Sequence, residues 1–284
     1  MRADRCDLNN DYYTKIERTK AFVDLTSKRL KILDLDAISP QSLKRIVRFA
    51  SRLHLGKVIC NCDIEALETF INADFIQEGK IDGYFKGKDA YCMSYFINSD
   101  RKICSNFAHK NLLVKQCLNE QNTYVSNKNN SIYEIKIATE NDINEIVNLF
   151  STVFLTYPTP IYNRDFLKQT MNDNILYKVA VFDGKIVSVA SADMDKENLN
   201  AEITDCATLP AYRGNGILAN IIHSLELDLK NKGFLTLYSL CRAINPSINF
   251  ILSKQSYNFT GRMVNNCNIC GTFEDMNIWV KSIN

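Results

Sequence analysis

The sequence predicts an α/β protein made of two domains. The chain has 284 residues, which is room for two domains of ordinary size. Short apolar runs typical of strands alternate with segments whose apolar residues recur at helical spacing. A polar stretch, "NEQNTYVSNKNNS", separates two such series at residues 119–131. We therefore expect an N-terminal α/β domain over residues 1–130 and a second α/β domain over residues 131–284.

In the N-terminal domain the sequence indicates two helices and three strands. Ser39 and Pro40 fit a helix N-cap and a first helical residue, and one apolar face follows, formed by Leu43, Ile46, Val47, Ala50 and Leu53. The run "KVIC" is typical of a strand, and Asp63 can cap the helix after it. Two further strands are predicted at "FIQEGKIDGYF" and "DAYCMSYF".

The second domain begins with a predicted strand, "IYEIKIAT", and a helix. Asp142 with Glu145 three residues later predicts a capping box for that helix. "YPTPIYN" contains two prolines and predicts a loop. "YKVAVFDGKIVSVASADMD" predicts two strands joined in a hairpin at Asp183 and Gly184.

One more strand and a long helix follow the hairpin. The strand "NAEITDCATLP" ends at Pro210, which cannot continue a central strand. A helix is predicted from Ile217 to Lys232, with Gly233 at its C-terminal cap. The strand "FLTLYSL" and a helical run ending in "KQSY" come next.

Composition narrows the classes of function. Charged residues make up 23% of the chain and nearly cancel to a net charge of +2, so no long basic groove for nucleic acid is expected. No apolar stretch approaches the roughly 18 residues of a membrane span, and the N-terminus shows no apolar signal segment. We therefore expect a cytoplasmic protein with a small-molecule or protein partner. The oligomeric state stays open.

The ten cysteines predict reduced thiols in that compartment. The close spacing of Cys60 with Cys62, and of Cys267 with Cys270, is similar to that of cysteine pairs in zinc sites. The two pairs lie about 200 residues apart, however, and neither has a histidine at ligand spacing. We expect no metal.

The turn between the strand and the long helix, "YRGNGI", carries the strongest functional signal. The first backbone N–H groups of a helix have no partners within it and lie at the positive end of its dipole. Gly214 and Gly216 let a phosphate approach this backbone, and Arg213 can add a charged contact. An isolated "RGNG" is more often an ordinary turn, because short glycine motifs occur freely. The order of strand, proline, motif, helix, glycine and strand favours a phosphate site here.

With this order of elements the sequence resembles the GNAT superfamily of acetyl-CoA-dependent N-acetyltransferases, whose pyrophosphate loop reads Arg/Gln-x-x-Gly-x-Gly/Ala. Arg213 and Gly216 match the loop, and Leu218 stands where a small residue is usual. The resemblance implies a GNAT fold for the second domain, with a mixed, mostly antiparallel central sheet flanked by helices. It implies acetyl-CoA as cosubstrate, bound by Ala207, Thr208, Leu209, Arg213, Gly214, Asn215, Gly216, Ile217, Leu218 and Asn245.

A narrower resemblance covers nearly the whole chain. The blocks "YPTPIYN", "NAEITDCATLPAYRGNGILA", "TLYSLCRA", "NNCNICGTFEDMNIWVK" and "FIQEGKIDGYFKGKDAYCMSYF" resemble the beta-lysine N-acetyltransferase family. Such enzymes acetylate the side-chain amine of beta-lysine (3,6-diaminohexanoate) and give N6-acetyl-beta-lysine, a compatible solute. Two alternatives stay open: an acetyltransferase for lysine, a polyamine or another small diamine, and a catalytically weak acyl-CoA-binding regulator.

Two carboxylates on the strand before the loop are candidates for proton transfer. An alkylammonium is almost fully protonated at neutral pH, so an amine acetyltransferase needs a proton acceptor. Glu202 and Asp205 of this strand can accept a proton, and on a regular strand they face opposite sides of the sheet. By analogy with GNAT enzymes that use a strand glutamate, Glu202 is the predicted base. Asp205 is predicted to hold the ammonium or a backbone amide, and a structural role is the alternative for both carboxylates.

The chain departs from the superfamily pattern at the position of the general acid. The superfamily often places a tyrosine seven residues after an asparagine; Asn245 fits, but Leu252 stands at the tyrosine position. Water, Tyr238 or Tyr257 can take its place, or no acid is needed. Backbone N–H groups near residues 206–208 are expected to stabilise the oxyanion.

The acceptor of this family has two amines and a carboxylate, so its pocket needs both signs of charge. Arg242 is expected to pair with the carboxylate, and acidic or amide side chains near "NNCNICGTFED", Asp275 among them, to select an amine. The predicted substrate-binding residues are Tyr157, Tyr162, Arg242, Asn265, Asn266 and Glu274. An ordinary surface role is the alternative for each, because a sequence does not show which side chains converge.

Two stretches suggest an internal duplication. "NCDIEALETFINADFIQEGKIDGYF" and "NPSINFILSKQSYNFTGRMVN" share the order asparagine, helix, phenylalanine and strand. The first stretch belongs to a segment without a phosphate loop, so the N-terminal domain is predicted to be a degenerate, partial GNAT half. Chance similarity of two common βαβ pieces is the alternative.

Overall fold

Thirteen strands form one mixed sheet in the computed structural model, which describes residues 11–36, 38–125, 132–155 and 157–284. The strands are β1 (Tyr12–Ile16), β2 (Thr19–Asp24), β3 (Arg29–Ile32), β4 (Lys57–Cys62), β5 (Ile76–Phe85), β6 (Lys88–Phe96), β7 (Glu134–Ile137), β8 (Ile175–Phe182), β9 (Lys185–Asp195), β10 (Asn200–Thr208), β11 (Thr236–Arg242), β12 (Asn258–Ile269) and β13 (Thr272–Ser282). The helices are α1 (Pro40–Arg52), α2 (Ile64–Ile71), α3 (Phe107–Asn119), α4 (Ile143–Val153), α5 (Arg164–Asp173), α6 (Ile217–Asn231) and α7 (Pro246–Lys254).

The sheet is mostly antiparallel, as predicted. Its strand order is β1-β2-β3-β4-β6-β5-β12-β13-β11-β10-β9-β8-β7. Only β3 with β4 and β10 with β11 pair in parallel among the described strands. Each parallel pair is joined by a crossover helix, α1 in the first case and α6 in the second, since parallel neighbours cannot be joined by a tight turn.

Strand order and connectivity support the predicted duplication. The N-terminal half of the sheet (β1 to β6) has the connectivity β1-β2-β3-α1-β4-α2-β5-β6, and β8-β9-β10-α6-β11-α7-β12-β13 repeats it. Both copies carry a bulge at the same place, between Gln77 and Gly79 in β5 and between Phe259 and Gly261 in β12. The repeats differ where a phosphate would bind, because α1 is capped by its own Ser39 and Ser42 side chains.

The two halves of the sheet face each other. One apolar cluster combines Ile59, Ile81 and Cys92 of the N-terminal half with Met276 and Ile278 of β13. On the other side of β10 and β11, α6 and α7 pack together with α3, which belongs to the predicted N-terminal domain. Residues 126–131, in the predicted boundary, lie outside the described residues, and the division at residue 130 stays a prediction.

Most predicted helix ends are confirmed. Ser39 caps α1, Asp63 caps α2 by accepting from the backbone N–H of Ala66, and Gly233 follows α6 with φ +82°. The capping box predicted for Asp142 and Glu145 is wrong. A short 3₁₀ turn precedes α4, so the box forms one turn earlier, between Thr139 and Asp142.

Glu145 instead ties α4 to the sheet. Its Oε2 accepts a hydrogen bond from the backbone N–H of Ile186 in β9 at 3.0 Å. Within the described residues, none of the helices has the length and apolarity that a bilayer span requires.

The contact between the halves depends on two glycines. Gly79 of β5 and Gly261 of β12 are paired, and a Cβ on Gly261 would lie 2.4 Å from the carbonyl oxygen of Glu78 and 2.4 Å from the Cα of Gly79. Backbone atoms cannot move aside as a side-chain end can. We expect Gly261→Ala to lower the free energy of unfolding by about 3 kcal/mol, measured by urea denaturation.

Gly87→Ala is the matched control for this substitution. Gly87 has φ +93°, but a Cβ there meets nothing within 4 Å, so the cost is about 1 kcal/mol of backbone strain. Equal losses in the two variants would show that the strands are not held this closely.

Candidate active site

β10 and β11 separate after a short parallel pairing. They pair only from Asn200 with Thr236 to Glu202 with Tyr238. The Oγ of Ser239 donates to the carbonyl oxygen of Ile203 at 2.8 Å, where the pairing ends. Beyond this point the strands border a cleft of about 1620 Å³. A cleft between diverging strands exposes backbone polar groups to a bound molecule.

The glycine loop forms one end of this cleft. Gly214 has φ +82° and Gly216 has φ +71°, and a Cβ on either would meet nothing within 4 Å. Gly216 is the N-cap of α6, and no side chain caps this helix. Arg213 lies against the end of β10, where its Nε donates to the carbonyl oxygen of Thr208 at 3.0 Å. The first N–H groups of α6 therefore point into open space suited to an anion.

Nine of the ten predicted cofactor-binding residues line the cleft: Ala207, Thr208, Arg213, Gly214, Asn215, Gly216, Ile217, Leu218 and Asn245. Leu209 instead packs against the cluster under α4 and α5. The Oδ1 of Asn245 caps α7 by accepting from the backbone N–H of Ser247 at 3.1 Å.

A bulge in β10 changes the direction of the catalytic candidates. Thr204 pairs with Ser191 and Ala207 with Val189, so one extra residue is inserted between them, and Asp205 has φ +47°. The Asp205 carboxylate accepts from the Oγ of Ser191 at 2.9 Å. Cross-strand partners share a face, so Ser191 and Asp205 lie on the face of Thr204 and Glu202. The prediction that Glu202 and Asp205 face opposite sides, which assumed a regular strand, is wrong.

Both carboxylates have raised pKa values. Burial raises the pKa of Glu202 to about 7; the ammonium of Lys31 opposes this shift, and the Asp193 and Asp205 carboxylates add to it. Burial also raises the pKa of Asp205 to about 6, against hydrogen bonds from Ser191 and Tyr157 that lower it. Both groups can therefore exchange protons near neutral pH, as a general base requires.

The two predicted tyrosines have different positions. Tyr157 lines the cleft, and its side chain is hydrogen-bonded to Asp205 and Thr204. Burial raises the pKa of Tyr157 well above its usual value, so its hydroxyl stays protonated and can donate. Tyr162 lies outside the cleft, where its hydroxyl donates to the carbonyl oxygen of Phe154 at 3.2 Å.

Arg242 is the one predicted charged substrate contact that lines the cleft. It stands at the end of β11, and its Nη2 donates to Oε1 of Glu274 at 2.6 Å. Glu274 is not part of the cleft lining, so it holds the guanidinium on the side away from the cleft.

Asn265, Asn266 and Asp275 lie outside the cleft, at the junction with the N-terminal half. The Nδ2 of Asn265 donates to the carbonyl oxygens of Arg101 and Ile103, both at 3.0 Å. Asn266 is fully buried, and Asp275 is buried in an ion pair with Lys110 at 2.6 Å. These contacts link β12 and β13 to the N-terminal half.

The residues considered for the general acid, and the leucine at the usual tyrosine position, lie in different parts of the structure. Leu252 and Tyr257 are fully buried in the core under α6 and lie outside the cleft lining. Tyr238 is the register partner of Glu202, so its side chain lies on the same face as that carboxylate. The sequence did not indicate Asp193 or Lys31 beside Glu202. Asp193 could have been found, since pairing the predicted strand that ends in "SADMD" with the next one, "NAEITDCATLP", across the short turn between them places Asp193 opposite Glu202. Nothing local in the sequence indicates Lys31.

Comparisons with known proteins agree with this geometry. The family model for the acetyltransferase (GNAT) family matches residues 143–253. The chain is 36% identical to a beta-lysine N(6)-acetyltransferase of Methanosarcina mazei, over 81% of this chain and 92% of the relative. It is 34% identical to a beta-lysine N(6)-acetyltransferase of Methanococcus maripaludis, over 89% and 92%. It is 29% identical to the N-acetyltransferase YodP of Bacillus subtilis, over 90% and 93%.

These matches confirm the predicted GNAT fold and the predicted enzyme class. The matched family region runs from α4 through the glycine loop to α7 and contains most of the residues that border the cleft. The two archaeal relatives extend the similarity over both halves of the sheet. The chain belongs to the beta-lysine N6-acetyltransferase family of the GNAT superfamily and is an acetyl-CoA-dependent N-acetyltransferase.

Proposed function

We propose that this chain transfers the acetyl group of acetyl-CoA to the N6 amine of beta-lysine. One observation carries the proposal: two carboxylates with raised pKa values lie on one face of β10, beside a cleft that ends at an uncapped, glycine-rich helix N-terminus. The names of the two archaeal relatives support beta-lysine as the acceptor.

The pyrophosphate of acetyl-CoA would bind at the N-terminus of α6. The open space at Gly214 and Gly216 admits phosphate oxygens next to backbone N–H groups, and Arg213 adds positive charge. Ala207 and Thr208 line the route from this loop to the carboxylates, so the pantetheine arm would run along them. Acetyl-CoA supplies an activated thioester there.

The chain's own residues would then prepare the acceptor. Glu202 accepts a proton from the substrate ammonium, directly or through water, which frees the nitrogen lone pair for attack on the thioester carbonyl. The C–N bond forms and the C–S bond breaks. The nitrogen releases its second proton through water to the departing thiolate, which leaves as coenzyme A thiol, and Glu202 returns its proton to the solvent. Asp205, oriented by Ser191 and Tyr157, holds the amine in place.

A panel of amines tests this proposal. With beta-lysine, L-lysine and spermidine offered in parallel, we expect the highest kcat/KM with beta-lysine, by tenfold or more, measured as release of free coenzyme A thiol. Turnover confined to spermidine would contradict the acceptor. Binding of acetyl-CoA without turnover of any amine would contradict the enzymatic role.

A further inference from the structure

The N-terminal half directs one lysine towards the catalytic face. In β3, Leu30 and Ile32 pack against the helices of their own half, so Lys31 between them points to the other side of the strand. Its register partner in β4 is Ile59, which packs against the C-terminal half of the sheet (β7 to β13). Lys31 therefore lies on the inner face, between the two halves.

The groups opposite Lys31 come from β9, β10 and β11. Glu202 pairs in register with Asp193 on one side and Tyr238 on the other, so the three side chains share the inner face. Tyr84 of β5 packs against Tyr238 with 5.7 Å between ring centroids and 57° between the ring planes. We call these five residues, Lys31, Tyr84, Asp193, Glu202 and Tyr238, the inter-half cluster.

The charged groups of the inter-half cluster form no direct pairs with one another, and the Nζ of Lys31 lies 6.0 Å from the centroid of the Phe22 ring on the neighbouring strand. Among the described residues, the side chains of Lys31, Asp193 and Glu202 form no ion pair within 4.0 Å and no hydrogen bond. Arg29, two residues before Lys31 on the same face, is by contrast paired with Asp24 at 2.7 Å. Charged side chains that are crowded by protein are normally paired, because leaving them partly desolvated and unpaired is costly.

These charges also remain accessible. Lys31 and Glu202 are only partly buried and Asp193 is exposed. Surrounding protein nevertheless shifts their pKa values: the guanidinium of Arg29 and burial lower the pKa of Lys31, and burial raises the pKa of Asp193. The inter-half cluster is therefore a crowded surface that solvent still reaches. A ligand binding to it would meet one positive and two negative groups.

We infer that the inter-half cluster recognises an amino-acid acceptor, with Lys31 binding its carboxylate and Asp193 its non-reacting ammonium. Glu202 is then free for the reacting amine, next to Asp205 at the cleft. The inference rests on the proposed function and names residues that would decide the substrate. The N-terminal half, which lacks a phosphate loop, would then serve to recognise the acceptor.

Two ligands that differ only in the carboxylate test this inference. Beta-lysine and 1,4-diaminopentane have the same two amines at the same spacing, and only beta-lysine carries the carboxylate. Titration calorimetry with coenzyme A present should show Lys31→Met weakening the binding of beta-lysine by about 10- to 100-fold. Binding of 1,4-diaminopentane should be unchanged or tighter. Lys31→Arg should keep most of the affinity for beta-lysine, and Lys44→Met, on the exposed side of α1, should match the wild type.

Each other outcome is decisive. Equal losses for both ligands, or undiminished binding of beta-lysine to Lys31→Met, would overturn the role of Lys31. Wild-type protein that fails to bind beta-lysine, or binds 1,4-diaminopentane equally well, would overturn it too. Binding of beta-lysine that depends on Lys31 without turnover would uphold the inference while the proposed function fails. Unchanged affinity for acetyl-CoA verifies that each variant is folded.

Discussion

Replacing Glu202 with glutamine should lower kcat for beta-lysine by about 10²- to 10⁴-fold, the usual contribution of a general base. Glutamine keeps the size and hydrogen bonding of the side chain but cannot accept the proton of the substrate ammonium. Because Glu202 lies outside the cleft lining, the affinity for acetyl-CoA should not change. Release of coenzyme A thiol at saturating substrates and calorimetry with acetyl-CoA measure the two quantities.

The pH profile distinguishes Glu202 from Asp205 as the base. Burial raises the pKa of Glu202 to about 7, so lowering the pH through this value protonates the carboxylate, and kcat/KM should fall below about pH 7. Glu202→Gln should abolish this limb of the profile. Asp205→Asn should retain it and raise KM instead. If Asp205→Asn removes the limb and Glu202→Gln does not, the base is Asp205, whose pKa of about 6 would place the limb one pH unit lower.

Replacing Gly216 with tryptophan should weaken the binding of acetyl-CoA by at least about 100-fold, which corresponds to about 3 kcal/mol. The indole would occupy the open space at the N-terminus of α6 and keep the pyrophosphate from the backbone N–H groups. Equilibrium titration with acetyl-CoA measures the effect.

Gly184→Trp provides a matched control for this loop variant. Gly184 lies in the hairpin between β8 and β9 and has φ +70°, against +71° for Gly216, and a Cβ there also meets open space. The backbone strain is therefore the same, and Gly184 itself is not one of the residues that line the cleft. Unchanged affinity in Gly216→Trp, or an equal loss in Gly184→Trp, would mean that the loop does not hold the pyrophosphate.

The glycine loop was predictable because its signals are local. Pro210 ends a strand, Gly214 and Gly216 take conformations with positive φ, and the apolar spacing of α6 begins directly afterwards. Each of these signals acts over a few residues, so a sequence pattern captures it. The family resemblance added the cosubstrate and the acceptor, which no local pattern contains.

The direction of the catalytic side chains was not predictable in the same way. Alternation along β10 places Asp205 opposite Glu202, but the bulge after Thr204 turns it to the same side. A bulge depends on how β10 pairs with β9, and this pairing is set by the hairpin and by packing on both faces. Asn265 and Asn266, although close in sequence to Arg242's partner Glu274, are held at the junction with the N-terminal half.

The sequence by itself determined the strand and the helix on either side of the glycine loop, the loop itself and the two carboxylates on β10, because these depend on residues close together in the chain. It did not predict β1 to β3, α3, α5 or β13. Tertiary structure alone decided that both carboxylates share a face and that Lys31, 171 positions before Glu202, lies on the inner face opposite it. The physical reason is that strand register and the approach of the two halves at Gly79 and Gly261 are set by contacts between distant segments.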